Sequence, residues 1–331
     1  MIIAGDIGGT KTNVALFGRE ERGALELKTL QSFPSAGYQS LEDILEEFNA
    51  THRPEITHAC FGVAGPVVDG RVDATNLAWE MSARSLAGTL KVETVSMIND
   101  LEAMAFGVET LVPSQLHTLS EGDRRRRHGH RGLIAAGTGL GMASIFWDGC
   151  DYHPMPSEGG HVDFAPRSEL ETGLLNWLTH RYGHVSYERI LSGPGLFNIY
   201  SFLRDSGFAE EPRWLAAELE SAEDSSAVIS KAALAKKSEL SVKTLEMFVE
   251  IYGAMAGNLA LVLKSIGGLY VGGGIAPKIL DKLKDGSFMK AFNDKGRMAY
   301  LTASVPVHVI LDDTTSLYGA ALCALKHGKA F

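Results

Sequence analysis

The stretch MIIAGDIGGTKTNVALFG, residues 1–18, decides the fold because it places a glycine-rich turn directly after an apolar run. The dinucleotide-binding fingerprint needs G-x-G-x-x-G, whereas the glycines here stand at positions 5, 8 and 9. A Walker A loop needs glycine before its Lys-Ser/Thr pair and a helix after it. Here Thr10 precedes Lys11, and residues typical of strands follow. The pattern therefore predicts a strand, a tight glycine turn and a second strand.

Such a hairpin can bind a phosphate group, because the N–H groups of its turn converge and glycine allows close approach. Plain β-hairpins also use glycine turns. On this stretch alone, both interpretations stay open.

The bulk composition describes an ordinary soluble enzyme. The chain has 331 residues, enough for one large domain or two, with 45% hydrophobic and 21% charged residues. Its 31 basic and 40 acidic residues give a net charge of −9, which argues against a nucleic-acid partner. We interpret the basic run DRRRRHGH (Asp123–His130) as a solvated surface loop.

Cysteine usage and hydropathy indicate a cytoplasmic protein without a membrane partner. Cys60, Cys150 and Cys323 are scattered, which fits a reducing compartment and offers neither a disulfide framework nor a zinc cluster. We expect no signal peptide, since a strand begins at residue 2. Lys264 and several glycines interrupt the most apolar stretch, so no transmembrane span is expected.

A second stretch, LIAAGTGLGMASIFW (Leu133–Trp147), repeats the layout of apolar strand, glycine turn and apolar strand. Strand-like and helix-like segments alternate before it, which is typical of α/β domains. Two related lobes with one phosphate hairpin each would hold a polyphosphate from both ends. A chance match of two glycine hairpins is the alternative. Further on, GGLYVGGGIAPKIL predicts a buried strand, a turn at Gly272–Gly274 and a helix.

Asn99 and Asp100 stand where a strand ends and a helix begins. The structural interpretation is a helix start, with Asn99 as N-cap and Glu102 completing a capping box. The functional interpretation rests on the position of α/β ligand sites beyond the carboxyl ends of strands. An aspartate there can accept a hydroxyl proton during phosphoryl transfer.

Other polar residues belong to short local patterns. Glu158 and His161 flank a Gly-Gly turn, and Glu188 lies in VSYERILSGPG. Asn76 and Trp79 occupy a loop to which we assign no role. Taken alone, Glu158 and His161 are explained by a polar turn, and Glu188 by a surface helix. Together, carboxylates, an amide and an imidazole complement the hydroxyls of a sugar, which favours a kinase acting on a sugar hydroxyl.

With these motifs together, the chain resembles the ATP-dependent bacterial glucokinases of the actin/hexokinase-like superfamily. The stretches that carry the resemblance extend over nearly the whole chain in family order. They are GDIGGTK, FGVAGPV, TNLAW, INDLEAMAFG, GTGLG, EGGHVDFAP, GHVSYERILSGPGL, AGNLAL and VGGGIAPK. The pair EGGHVDFAP and SYERILSGPGL is highly specific, whereas the first hairpin is shared across the superfamily.

The resemblance implies roles for individual residues. Asp100 would be the general base for the sugar 6-hydroxyl, and Asp6 would hold Mg²⁺ through water. The residues that would bind glucose are Asn99, Asp100, Glu158, His161 and Glu188. The residues that would bind ATP are Gly5, Asp6, Ile7, Gly8, Gly9 and Thr10 in the first hairpin, Gly137, Thr138, Gly139 and Gly141 in the second, and Gly273 and Gly274 near the adenosine.

The resemblance also implies a two-lobed, ribonuclease H-like α/β fold with a central cleft, and a homodimer. We expect a small domain of residues 1–110 plus about 312–331, and a large domain of residues 111–311. The related ROK family carries a cysteine-rich zinc loop after its Glu-x-Gly-His motif, whereas APRSELETG stands here, so no structural zinc is expected. Lys11 receives no role.

Three other functions are alternatives to that of a glucokinase. One is a kinase for mannose, fructose or an N-acetylated hexosamine, and the phosphate donor could also be polyphosphate or another nucleotide. A sugar-responsive repressor would need a helix-turn-helix, for which we expect no room before Ile2. An actin-like ATPase would not need the set of Glu158, His161 and Glu188.

Overall fold

The computed structural model describes residues 1–20, 23–65, 67–68, 70–73, 79–123, 125 and 128–327. The strands are β1 (Ile2–Ile7), β2 (Lys11–Arg19), β3 (Leu25–Pro34), β4 (His58–Val63), β5 (Arg71–Asp73), β6 (Glu80–Ser82), β7 (Ser96–Asn99), β8 (Leu116–Ser120), β9 (Arg131–Ala136), β10 (Leu140–Trp147), β11 (Tyr152–Ser157), β12 (Gly268–Gly272) and β13 (Val307–Ile310). The α-helices are α1 (Leu41–His52), α2 (Ala83–Leu90), α3 (Asp100–Gly107), α4 (Glu169–Tyr182), α5 (Gly193–Asp205), α6 (Arg213–Ser221), α7 (Ser225–Leu234), α8 (Glu239–Leu263), α9 (Leu280–Leu283), α10 (Ser287–Asn293), α11 (Ala299–Thr302) and α12 (Thr315–His327).

Packing divides the chain into two units. The first comprises Met1–Val112, Pro154–Pro156 and Asp312–Phe331. The second comprises Pro113–His153 and Ser157–Leu311. The first unit is therefore built from sequence segments near both ends of the chain.

The first unit contains a five-stranded sheet in the order β3-β2-β1-β4-β7. Its β1 and β2 form an antiparallel hairpin whose register runs from Ile2 opposite Phe17 to Ile7 opposite Thr12. This confirms the strand, turn and strand predicted from residues 1–18. β1 is parallel to β4, and β4 is parallel to β7, so the three strands end at the same edge of the sheet.

Both faces of this sheet are covered, which explains why β1 is apolar on both faces, except for Asp6 near its end. Ile3 and Ile7 belong to a core that includes Phe48 of α1. Ala4, on the other face, belongs to a core that includes Leu317 of α12. α12 contacts α3, β1 and β4, and so completes the second of these cores.

The second unit contains a six-stranded sheet in the order β11-β10-β9-β12-β13-β8. β9 and β10 form an antiparallel hairpin, and β12 and β13 follow in parallel beside β9. The first sheet has the same layout, with two parallel strands beside the first strand of its hairpin. The predicted repeat of the hairpin design is therefore confirmed at the level of topology.

The most apolar part of the sequence forms the end of α8 and the strand β12. By length and composition α8 could cross a membrane, but 67% of its most apolar window is buried inside the protein. It packs against α5, α7 and α10, as the central helix of a core does. After β12 the chain forms a 3-10 turn at Ala276–Ile279 and then the short α9, instead of the single helix predicted there.

Candidate active site

The first glycine turn comprises Gly8, Gly9 and Thr10. Ser35 fastens it from the end of β3: its Oγ donates to the Gly8 carbonyl at 2.7 Å, and its N–H donates to the Thr10 carbonyl at 3.1 Å. The buried hydroxyl of Thr12 lies 3.0 Å from that of Ser35. These bonds from Ser35 hold the turn in place, and Thr10 remains exposed to solvent.

Gly5, assigned to this phosphate hairpin, lies inside β1 and not in the turn. It pairs with Val14, and a Cβ on it would meet the ring of Phe61. Its glycine is therefore explained by packing. Asp6 and Ile7 also belong to β1, and Ile7 is buried in the core.

Asp6 is half-buried near the end of β1. Burial, and then the negative charge of Asp100, raise its pKa to about 6 from an ordinary 3.8, although Lys11 and a hydrogen bond from Asn13 act the other way. Gly62 of β4 lies between them: a Cβ there would lie 3.7 Å from the Asp100 Cα. The Asp100 carboxylate is therefore close enough to oppose the ionisation of Asp6.

Asn99 ends β7 and caps α3, as the structural interpretation predicted, but only half of the predicted capping box forms, because the Asn99 side chain binds the N–H of Leu101 and not that of Glu102. Its Oδ1 accepts from the N–H of Leu101 at 2.9 Å, and its Nδ2 donates to the Gly65 carbonyl at 3.1 Å. Burial raises the pKa of Glu102, whose carboxylate accepts from the Asn99 N–H. Asp100 begins α3, and its Oδ1 also accepts from the Leu101 N–H, at 2.8 Å. The cap fixes where the Asp100 carboxylate lies.

The second glycine turn, Gly137–Gly139, joins β9 to β10 in the second unit. The Gly137 N–H donates to the Gly139 carbonyl at 2.9 Å, and the Gly193 N–H donates to the Gly137 carbonyl at 2.9 Å. Thr138 is exposed at the tip. Gly141, assigned to the turn, lies inside β10 and pairs with Ala135.

Glu158 and His161 project from one short 3-10 turn, as expected from the Gly-Gly spacing. Their side chains are 74% and 60% exposed, with 3.9 Å between Glu158 Oε2 and His161 Nε2. Glu188 lies on another 3-10 turn, Tyr187–Arg189, and not on a surface helix. Its Oε2 accepts from the N–H of Leu140 at 2.9 Å, directly after the second glycine turn. These three side chains belong to the second unit.

The glycine turn after β12 closes against the end of β9. Gly273 has φ 82°, and a Cβ there would meet the Ala136 carbonyl, so glycine is required. Gly274 has open space around the position of a Cβ. The buried hydroxyl of Tyr252 accepts from the Ala136 N–H at 3.2 Å and donates to the Ile134 carbonyl at 3.3 Å, so α8 fixes the strand end beside both turns.

Three residues that support the site were not predicted from the sequence: Ser35, Gly62 and Tyr252. Each acts on a segment distant along the chain, and no short motif contains both partners. Of the loop left without a role, Asn76 lies outside the described residues. Trp79 is buried and donates to the Tyr38 carbonyl at 3.2 Å, which gives it a structural role.

The basic run is described only in part, since Arg124, Arg126 and Arg127 lie outside the described residues. Arg125 is 90% exposed and pairs with Asp123, consistent with a solvated loop. Within the described part of the chain, no group of three or more His, Cys, Asp or Glu side chains is placed to hold a metal ion directly.

Two sheets of one layout, each with a glycine-turn hairpin, and carboxylates at strand ends define a sugar kinase of the actin-like ATPase fold. The chain belongs to the glucokinase family, whose model matches residues 3–327. A glucokinase of Nostoc punctiforme is 41% identical over 98% of this chain and 99% of its own. The resemblance seen in the sequence is confirmed, and with it an enzyme that phosphorylates glucose with ATP.

Solved structures agree with this assignment. A glucokinase from an Antarctic psychrotroph, 29% identical, matches with a TM-score of 0.85 and covers 98% of both chains. A ROK family glucokinase from Streptomyces griseus, in complex with glucose and AMPPNP, shares the fold at 21% identity and a TM-score of 0.65. That match covers 98% of this chain and 99% of the other.

Proposed function

We propose that the chain transfers the terminal phosphoryl group of ATP to the 6-hydroxyl of glucose, with Asp100 as the general base. The observation that carries this is the position of Asp100 at the carboxyl end of β7, where its carboxylate is fixed at the first turn of α3. Ligand sites of α/β sheets lie beyond this edge. A carboxylate there can take the hydroxyl proton as the oxygen attacks phosphorus.

The sugar-binding set completes the proposal. Asn99, Glu158, His161 and Glu188 would bind the other hydroxyls of glucose. Glu158 and His161 are exposed and lie on one turn, so both can accept a ligand without losing a buried contact. Acceptors and donors in this combination match hydroxyl groups, which both donate and accept.

Magnesium fits the residues of the first unit. A half-buried carboxyl whose pKa is raised to about 6 beside Asp100 gains from a divalent cation, which favours its ionised form. The family resemblance implies that Asp6 would hold Mg²⁺ through water, as this ion keeps several of its waters in proteins. The ion would neutralise charge on the phosphates of ATP.

The two glycine turns, with Gly8, Gly9 and Thr10 in one and Gly137, Thr138 and Gly139 in the other, would bind the phosphates of ATP. The N–H groups of Gly8 and Gly137 donate within their turns, to Lys11 and Gly139, so the amides offered to phosphate would be those of Gly9, Thr10, Thr138 and Gly139. Gly273 and Gly274 would lie near the adenosine, where the open space at Gly274 admits a ligand. Gly5, Ile7 and Gly141 would act through the strands that present the turns. Turns fixed before binding lose little entropy when a phosphate arrives.

We also propose that the protein is a cytoplasmic homodimer. Within each chain, the two units would be the small and the large domain of the kinase. The family resemblance supports the dimer, and the scattered cysteines, which form no C-x-x-C pair, fit a reducing compartment. Size-exclusion chromatography with light scattering tests the dimer. A monomer at micromolar concentration would contradict it.

The direct test is ADP release by the purified chain with ATP and Mg²⁺, with glucose, mannose, fructose or N-acetylglucosamine, and without sugar. We expect release with glucose far above the other samples. Release with another sugar alone would leave a hexose kinase with a different substrate. Equal release without any sugar would contradict a sugar kinase and favour an ATPase.

A further inference from the structure

The peptide unit at Leu140 is fixed on both sides within the second unit. Its N–H donates to Glu188 Oε2 at 2.9 Å. Its carbonyl packs against Gly160, where any Cβ would collide with the carbonyl oxygen. The residue directly after the glycine turn is therefore enclosed by the Glu158–His161 segment and by Glu188.

Gly139 makes this arrangement possible. A Cβ at position 139 would lie 2.5 Å from Glu188 Oε2, closer than real Cβ atoms approach oxygen. A side chain at position 139 would therefore displace the Glu188 carboxylate from its present position at the Leu140 amide. The other end of the turn is held separately, by the bond from the Gly193 N–H to the Gly137 carbonyl.

Glu188 is itself held firmly. The Oγ of Ser192, which is 2% exposed, donates to the Glu188 carbonyl at 2.7 Å. The neighbouring Tyr187 is buried, and its N–H donates to the Val162 carbonyl at 3.0 Å. A carboxylate on so fixed a backbone can impose a position on the amide that it binds.

We propose that Glu188 is a positioning residue for the second phosphate turn, and that it sets the conformation of Gly137–Leu140 before any sugar binds. One carboxylate oxygen holds the Leu140 amide, which leaves the other oxygen for a sugar hydroxyl. This inference rests on the proposed function for the identity of the two ligands. It adds that a residue assigned to glucose controls the affinity for the nucleotide.

Loss of the carboxylate has a predictable cost. Leu140 is 5% exposed, so its N–H would be left without an acceptor, and the turn would rearrange to satisfy it. Hydrogen bonds to charged groups contribute about 1.5–3 kcal/mol, which corresponds to a change of about 10- to 100-fold in affinity. Glutamine keeps an acceptor oxygen at the same reach, whereas alanine does not.

The experiment is titration calorimetry with Mg²⁺ and ADP in the absence of sugar. We expect Glu188→Ala to bind ADP at least about tenfold more weakly than the wild type, and Glu188→Gln, which keeps a neutral acceptor oxygen, to lose clearly less affinity than Glu188→Ala. Glu158→Ala is the matched control, because it removes an exposed carboxylate whose ion-pair partner is His161 and not a residue of the turn. It should keep the wild-type ADP affinity. Equal ADP affinity in Glu188→Ala and the wild type would overturn the inference.

A double-mutant cycle tests the same inference without relying on a single variant. Gly139→Ala should weaken ADP binding in the wild-type background by displacing the carboxylate, and much less in the Glu188→Ala background. Additive losses would overturn the inference, even if both single variants bind weakly. Circular dichroism and thermal melting check that each variant is folded.

A glucose titration of the same proteins separates the inference from the proposed function. If Glu158→Ala and Glu188→Ala both keep the wild-type glucose affinity, the sugar assignment is wrong, whereas the ADP result still decides the role of Glu188. If ADP does not bind the wild type, the assignment of the phosphate turns fails and the inference fails with it.

Discussion

Asp6 and Asp100 lie at the same edge of one sheet, near the ends of β1 and β7, and the charge of Asp100 acts on the Asp6 carboxyl. With burial, it raises the pKa of Asp6 to about 6. The folded chain therefore holds the Asp6 proton more tightly than the unfolded chain does. Ionised Asp6 costs stability above pH 6, and this cost is lost as the pH falls towards 3.8.

Asp6→Asn should therefore stabilise the protein against urea in the absence of Mg²⁺. A shift of about two pKa units corresponds to about 3 kcal/mol at pH 8, and to roughly half of that at pH 5. The same variant should lose activity with Mg²⁺ and ATP. Asp281→Asn, at a carboxylate whose side chain is 87% exposed, is the control and should change neither quantity much. A destabilised Asp6→Asn at pH 8 would contradict the raised pKa.

Asp100→Asn should lower kcat by about 10²- to 10⁴-fold, the usual range for the loss of a general base. Glucose affinity should change little, because the amide keeps the shape of the carboxylate and one acceptor oxygen. Steady-state kinetics and calorimetry measure the two effects. Glu102→Gln, in the first turn of the same helix, should keep kcat within a few-fold. Near-normal kcat in Asp100→Asn would show that another group takes the proton.

Glu158→Gln should mainly weaken glucose binding, by about tenfold or more, because a charged acceptor is replaced by a neutral amide. Calorimetry with glucose measures this directly. Asp163→Asn is a suitable control, since Asp163 is exposed on the same segment and pairs with His184 at 2.6 Å. An unchanged dissociation constant for glucose in Glu158→Gln would remove Glu158 from the sugar set.

Thiol chemistry should distinguish the three cysteines. Cys150 is exposed, whereas Cys60 and Cys323 are buried. Burial, above all, raises the pKa of the Cys60 thiol, and the neighbouring Cys323 adds to this. Since the thiolate is the reactive form, we expect one rapid reaction per native chain with a disulfide reagent, and three after unfolding. Cys150→Ser should abolish the rapid reaction, and rapid labelling in that variant would contradict the burial of the pair.

The sequence predicted those features whose signals are local. Apolar runs on both sides of a glycine turn identified both hairpins, and the Asn99–Glu102 pattern identified the start of α3. The supporting contacts were not predictable, because they join distant segments: Ser35 to Gly8, Tyr252 to Ala136, and Glu188 to Leu140. Only tertiary packing brings these partners together.

Local patterns also failed where one residue type serves two purposes. Gly5 and Gly141 look like turn glycines, yet both lie within strands, and Gly5 makes room for the ring of Phe61. Glu188 looks like a surface helix residue because the polar group that it binds is a backbone amide, which leaves no mark in the sequence. The position of a glycine or a glutamate does not reveal the neighbour that requires it.

The place of α12 in the first unit has a consequence for the order of folding during synthesis. The core that contains Ala4 of β1 also contains Leu317 and Ala320 of α12, so it stays incomplete until α12 has left the ribosome. Every segment of the second unit leaves earlier, since that unit ends at Leu311. Domains generally fold as units as they emerge. The nascent chain can therefore complete the core of its second unit before α12 is available to complete the core around β1 in the first unit.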